Sequence, residues 1–258
     1  MTDPRGVPTD VATTADAEVV ERSSLAAPTR GQPRSDVPRP FTRELLESEE
    51  REIKDAILRM GSTVAERILT AIDALERHEE VAALAVITAD EALNQLQRDI
   101  SGSVSLVIAT QQPVARDLRL LLTLDHVAYD LERMGDHAAS VAKQARKLAP
   151  YAPIKDYVRL PEMGRLVAQQ VRDVLAAVVD VDEHRAREVA ARDDEVDERY
   201  HAIFAETLDL MRADPANVDP GARILFAAHY LERIGDRVTN IAEDVVFLAT
   251  GDVEDLNP

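Results

Sequence analysis

The feature that most constrains this chain is that part of it is written twice. The run "DLERMGDHAASVA" from Asp130 returns as "YLERIGDRVTNIA" from Tyr230, an offset of 100 residues. Upstream, "HEEVAALAVITADEALNQL" from His78 is matched by "VDEHRAREVAARDDEVDER" from Val181 at an offset of 103, aligning Glu80 with Glu183, Asp90 with Asp193 and Asn94 with Asp197. Segments that recur in the same order are one structural unit used twice, so the fold must be a pair of similar modules.

Each module reads as helical. From Phe41 onward apolar residues recur at steps of three and four, and no run alternates as a strand does. Composition agrees: 45% of residues are apolar but only 3% aromatic, with no Trp, so the core must be built from Ala, Leu, Val and Ile. Breakers fall near His78 to Glu80, Gln111 to Pro113, Pro150 to Pro153 and Ala213 to Gly221, and Gly61 reads as a tolerated glycine inside one helix. The predicted helices are 42–77, 80–110 and 114–148, then 157–180, 183–212 and 220–249. Short connections make neighbours antiparallel. The expected fold is therefore all-α, two tandem three-helix bundles running up-down-up, over 41–150 and 154–250. Residues 1–40, with Pro4, Pro8, Pro28, Pro33, Pro38 and Pro40, predict a disordered tail, and 251–258 are expected to form a short tail.

Charge narrows the partners. With 48 acidic against 30 basic residues the net charge is -18, which argues against a nucleic-acid footprint and against binding anionic lipid by charge, and favours cations and basic partners. The absence of Cys removes disulfides, thiolate metal sites and a Cys nucleophile. No apolar run approaches the roughly 18–20 residues of a membrane span, and no leader pattern opens the chain. A soluble, cytoplasmic protein with no membrane insertion is expected.

The repeat also marks a candidate site. Leu231, Ile234, Val238, Ile241, Val245 and Leu248 form a core-facing stripe in the last helix, which turns Glu232 and Asp236 outward. In the first repeat Leu131, Met134, Ala138, Val141, Ala145 and Leu148 do the same for Glu132 and Asp136. Like charges four apart cost a helix a few tenths of a kcal/mol, so something must compensate them. Asp90 with Asn94, and Asp193 with Asp197, supply matching oxygen-bearing pairs in the middle helices. If the helices pack side by side the pairs converge. Convergent oxygens suit iron, Mg²⁺, Mn²⁺ or Ca²⁺ better than zinc, which favours His or Cys. His229, three residues before Glu232, could add one imidazole. One such pair would be an ordinary solvated face, whereas four at equivalent places favour a site. Gly135 and Gly235 recur mid-helix, where glycine costs about 0.5–1 kcal/mol relative to Ala, so a packed helix or a metal cluster must approach the backbone there.

Enzymatic signatures are missing: there is no glycine-rich phosphate loop, Gly-x-Ser-x-Gly elbow or His-Glu-x-x-His. Glu198-x-x-His201 is a single copy of an element that di-iron bundles need twice, and reads as chance.

Taken together, "QPVARDLRLLL" from Gln112, the "DLERMGD" that follows it, and "LERIGDRVTNIAED" from Leu231 resemble the PhoU family, over about 41–250. The resemblance implies two tandem three-helix bundles, often dimeric, and no catalysis. It implies a negative regulator of phosphate uptake and of the phosphate-starvation response, an adaptor between the ATPase subunit of the phosphate transporter and a sensor histidine kinase. In some members Glu/Asp-x-x-x-Asp motifs bind multinuclear metal clusters, which carries over to Glu132, Asp136, Glu232 and Asp236, with Asp90, Asp193 and Asp197 as matching acids. Asn94 stands where an acid is expected, and Ser140 and Lys143 stand where the second repeat has Asn240 and Glu243, so the first site is expected to be the weaker. Two other readings remain open at this level: a metal-dependent oxidase in a ferritin-like bundle, weakened by the missing second Glu-x-x-His, and a metal-free helical scaffold.

Overall fold

The computed structural model describes residues 43–152 and 159–257; the predicted tail at 1–40 lies outside them. The helices are α1 (Arg43–Arg77), α2 (Glu80–Thr88), α3 (Asp90–Gln111), α4 (Ala115–Leu148), α5 (Arg159–Asp180), α6 (Glu183–Ala190), α7 (Asp193–Ala213) and α8 (Val218–Thr250), with a 3₁₀ turn at Pro215–Asn217. Among the described residues there is no strand.

The two repeats share one core. Helix α1 runs unbroken through Gly61, as expected, and the reason lies in the other repeat: a Cβ at Gly61 would sit 1.9 Å from Leu175 Cδ1 on α5. The contact is reciprocal. A Cβ at Gly164 on α5 would sit 2.5 Å from Ile72 Cγ1 on α1, and both Gly164 and Leu175 lie 103 residues after their counterparts Gly61 and Ile72. Helix α4 packs along α8 in the same cross-repeat fashion. Ile57, Met60, Val64, Leu131, Met134, Val167, Val171, Leu231 and Ile234 are buried in the aliphatic interior that results. Helices α1 and α5 both end in the left-handed region, at His78 (φ 55) and its counterpart Val181 (φ 53).

The middle helices differ from expectation. Neither 80–110 nor 183–212 is continuous: α2 gives way to α3 at Ala89, and α6 to α7 at Ala191 and Arg192. At each break the ladder tightens to three-residue bonds, with Ala92 N–H donating to Ala89 O (3.2 Å) and Glu195 N–H to Arg192 O (3.2 Å). The same carbonyls accept a side-chain donor from the first helix of their repeat. Arg67 Nη2 donates to Ala89 O, and Gln170 Nε2 donates to Arg192 O at 2.9 Å. Arg67 and Gln170 are equivalent positions, both buried, so a polar group inside the bundle fixes each break. The consequence is functional. Asp90 and Asp193 become the first residues of new helices, where a carboxylate interacts favourably with the helix dipole.

Candidate carboxylate clusters

The repeat sets its acids on facing helices. On the second repeat, α7 meets α8 at Gly235, where a Cβ would stand 2.8 Å from Asp193 Oδ1 and 3.4 Å from Val196 Cγ1. On the first, a Cβ at Gly135 would stand 2.5 Å from Leu93 Cδ1 of α3. Both glycines therefore admit a neighbouring helix, and at Gly235 the nearest atom is itself a candidate ligand. The expectation of freely outward acids needs correction. Asp193 is only 5% exposed, and Asp90, Glu132, Asp136, Asp197, Glu232 and Asp236 are half-buried. They do point away from the core stripes of α4 and α8, but α3 and α7 cover that side.

Electrostatics record the convergence. Burial pushes Asp193 up to about 6, with the charges of Asp197 and Asp236 adding to it. Burial also raises Glu232, followed by the charge of Asp236, and raises Asp236, which feels Asp197. In the first repeat burial raises Asp90, then the charge of Asp136, and raises Glu132, then Asp136 and Asp90. Asp90, Glu132, Asp193, Glu232 and Asp236 thus each feel a carboxylate of the facing helix. Arg133 Nη1 offsets Asp136 Oδ2 at 3.2 Å, as Arg233 Nη1 offsets Asp236 Oδ2 at 2.9 Å. The clusters diverge in their surroundings: Arg67 Nη1 lies 3.9 Å from Asp90 Oδ1, where the second repeat has the neutral Gln170. Lys143 adds a further positive charge near Asp90.

The oxygens are of the type a hard cation takes, although among the described residues no three acids of either cluster bring ligand oxygens within 4.8 Å of one another. Asp90 Oδ1, Asn94 Oδ1 and Glu232 Oε2 are buried acceptors with no hydrogen-bond partner, a costly state that an ion with oxygen ligands relieves. His229 Nδ1 lies 3.2 Å from Glu232 Oε2, so the imidazole stands at the second cluster as its spacing suggested. His201 is turned to its own helix, with Nδ1 2.8 Å from Asp197 O.

Residues 251–257, the short tail, fold back onto the second repeat. Arg187 holds Glu254 through two bonds of 2.7 and 2.9 Å, Glu243 Oε1 accepts from Leu256 N–H at 3.0 Å, and Asn257 Nδ2 donates to Asp193 Oδ2 at 2.7 Å. This strap and the Asp236 side of α8 frame an open cavity of about 570 Å³ beside the second cluster.

Sequence reasoning missed one constellation. Among the described residues, ligand-type atoms of three His, Cys, Asp or Glu side chains come within 4.8 Å of one another at a single place, His126, Asp130 and Asp244. His126 and Asp130 share a face of α4 four residues apart, which is readable. Asp244 lies 118 residues beyond His126, and only the packing of α8 on α4 brings it there.

Fold and site together define a class, the duplicated helical proteins in which each repeat sets a carboxylate cluster between a broken middle helix and a glycine of the third. The PhoU domain model matches residues 57–145 and 160–245, one segment in each repeat. The chain belongs to the PhoU family. It is 39% identical over 218 residues to the phosphate-specific transport system accessory protein PhoU homolog of Clostridium acetobutylicum, covering 84% of this chain and 100% of the relative. It is 40% identical over 196 residues to the homolog so named in Xylella fastidiosa, covering 76% and 83%. Among solved structures, PhoU from Pseudomonas aeruginosa superposes with a TM-score of 0.77 at 33% identity, covering 80% of this chain and 100% of that one. The phosphate transport system regulatory protein PhoU from Streptococcus pneumoniae gives 0.76 at 30% identity, covering 81% and 99%.

Proposed function

We propose that this protein is a non-enzymatic accessory regulator of phosphate transport that restrains uptake and the phosphate-starvation response when phosphate is plentiful. The observation that carries the reading is that relatives named as accessory proteins of phosphate-specific transport align across both repeats. No helix among the described residues is long and apolar enough to cross a membrane, in keeping with an accessory role beside a membrane transporter. The protein acts in the cytoplasm, as a homodimer, bridging the transporter's ATPase subunit and a sensor histidine kinase. With a net charge of -18, its contacts run through basic patches on those partners and weaken with salt over a Debye length of about 8–10 Å.

The carboxylate clusters bind metal ions with oxygen ligands, such as iron, Mg²⁺, Mn²⁺ or Ca²⁺. Asp193, Asp197, Glu232 and Asp236, with His229 beside them, hold the stronger site; Asp90, Asn94, Glu132 and Asp136 hold the weaker. The buried acceptors that lack a hydrogen bond, Asp90 Oδ1, Asn94 Oδ1 and Glu232 Oε2, support this reading over a metal-free scaffold. A bound cation would lower the local negative field and tune which partner surfaces the protein accepts. The test is a deletion strain: phosphate uptake should rise, or starvation genes stay on, at high phosphate, and pull-down from phosphate-replete cells should recover the ATPase or the kinase. Unchanged uptake and expression, with no second family member present, would overturn the assignment.

A further inference from the structure

We infer that His126, Asp130 and Asp244 form a third site, separate from both carboxylate clusters, which takes a single divalent transition-metal ion and ties α4 of the first repeat to α8 of the second. One ligand-type atom from each side chain lies within 4.8 Å of the others. Asp130 is the unusual member. It has no exposed surface; its Oδ1 accepts from Arg237 Nη1 at 2.9 Å, and its Oδ2 has no hydrogen-bond partner. A fully buried carboxylate oxygen left without a donor carries a desolvation cost that a cation at this position removes. The Arg237 bond holds the carboxylate in place, as outer contacts of metal ligands do. The side chain of His126 is 54% exposed and that of Asp244 21%, so the site opens to solvent on the histidine side and an ion can reach it.

The ligand set selects the ion. One imidazole nitrogen and two carboxylate oxygens suit Zn²⁺, Co²⁺, Mn²⁺ or Fe²⁺, whereas Mg²⁺ and Ca²⁺ favour all-oxygen sites. His126 Nδ1 and Asp244 Oδ2 lie 2.6 Å apart, a hydrogen bond. An ion at the site displaces the proton of that bond to solvent, so affinity falls as pH is lowered. The repeat does not supply this chemistry twice. At the equivalent positions stand Phe226, Tyr230 and Gln144, which offer no comparable ligand set, so the site belongs to one side of the junction alone.

The test uses the full chain, stripped with chelator, labelled with ¹⁵N at histidine and titrated with Zn²⁺ alone. The ring nitrogens of His126 should shift, and those of the exposed His184 should not. His126→Gln and Asp244→Asn should each weaken binding at this site about tenfold or more, while the double variant Asp136→Asn/Asp236→Asn should leave the His126 shift intact. Should Asp244→Asn fail to fold, the half-exposed His126→Gln still decides the matter. His126 resonances unmoved in excess Zn²⁺ would overturn the proposal, leaving a hydrogen-bonded network. A shift of all exposed histidines together would overturn it as unselective surface binding.

Discussion

Asn257 donates its side-chain amide to Asp193 Oδ2 at 2.7 Å, so the strap that follows α8 occupies a candidate ligand of the second cluster. A cation there must compete with that donor. Asn257→Ala should therefore tighten Mn²⁺ binding, by about three- to tenfold given the ~1.5–3 kcal/mol of a hydrogen bond to a charged group, partly replaced by water. Isothermal titration decides it. Equal or weaker binding would mean that the strap completes the site instead of obstructing it.

Asp236→Asn should lower metal content measured by mass spectrometry while leaving helicity intact, because Asp236 is half-buried and packs little. Asp136→Asn should lower it less, since Arg67 and Lys143 already oppose a cation in the first cluster. Wild-type metal in both variants would remove the carboxylate clusters from the account. Unfolding of either would recast that residue as structural.

Glycine substitutions should split in sign. Nothing lies within 4 Å of a Cβ at Gly102, so Gly102→Ala should gain up to about 1 kcal/mol from helix propensity. Gly61→Ala meets Leu175 Cδ1 at 1.9 Å and should lose about 1–3 kcal/mol to overpacking. Denaturant titration measures both, and a stabilised Gly61→Ala would mean that α1 and α5 cross less tightly than described.

His137, half-buried, and the buried Asp193 should oppose each other in acid. Burial, with Arg233 and Arg237 adding, holds His137 down at about 4, against about 6.5 in the unfolded chain. Between those values the unfolded state binds more protons, so this contribution is present above about pH 6.5 and is lost as pH falls towards 4. Asp193, raised to about 6 from an ordinary value near 3.9, has the opposite sign. The native state binds the extra proton, and stability declines as pH rises from about 4 to 6. With chelator present, His137→Phe should gain on wild type between about pH 7.5 and about pH 5, and Asp193→Asn should lose ground. Parallel pH profiles for all three chains would contradict both assignments.

Gln170→Leu should cost about 1–3 kcal/mol, because Arg192 O loses its side-chain donor inside the protein, and should weaken metal binding at the second cluster through a displaced Asp193. Unchanged metal affinity in a destabilised variant would separate the break from the site.

Those breaks mark the limit of what could be read from the chain. Helix number, the cross-repeat alignment and the core stripe of α8 follow from local spacing, because each apolar residue reports its own face. Ala89 and Arg192 give no such report: both are good helix formers, and the groups that fix the breaks, Arg67 and Gln170, sit 22 residues earlier on another helix. The same holds for burial. Spacing placed Asp193 among the acids facing Asp236, but its depth depends on how closely α7 approaches Gly235. Asp244 is the extreme case, since nothing near it in sequence announces His126.

The reciprocal crossing of Gly61 on Leu175 and Gly164 on Ile72 makes the junction isologous, the geometry of a two-fold dimer written into a single polypeptide. A symmetric dimer of one repeat can only alter both clusters together, since each substitution appears twice. Once the halves are covalently joined, one can keep Arg67 and Asn94 while the other takes Gln170 and Asp197, and His126 can acquire a partner in Asp244 without a mirror image. Fusion thus turned one surface with a compulsory duplicate into two that could specialise separately.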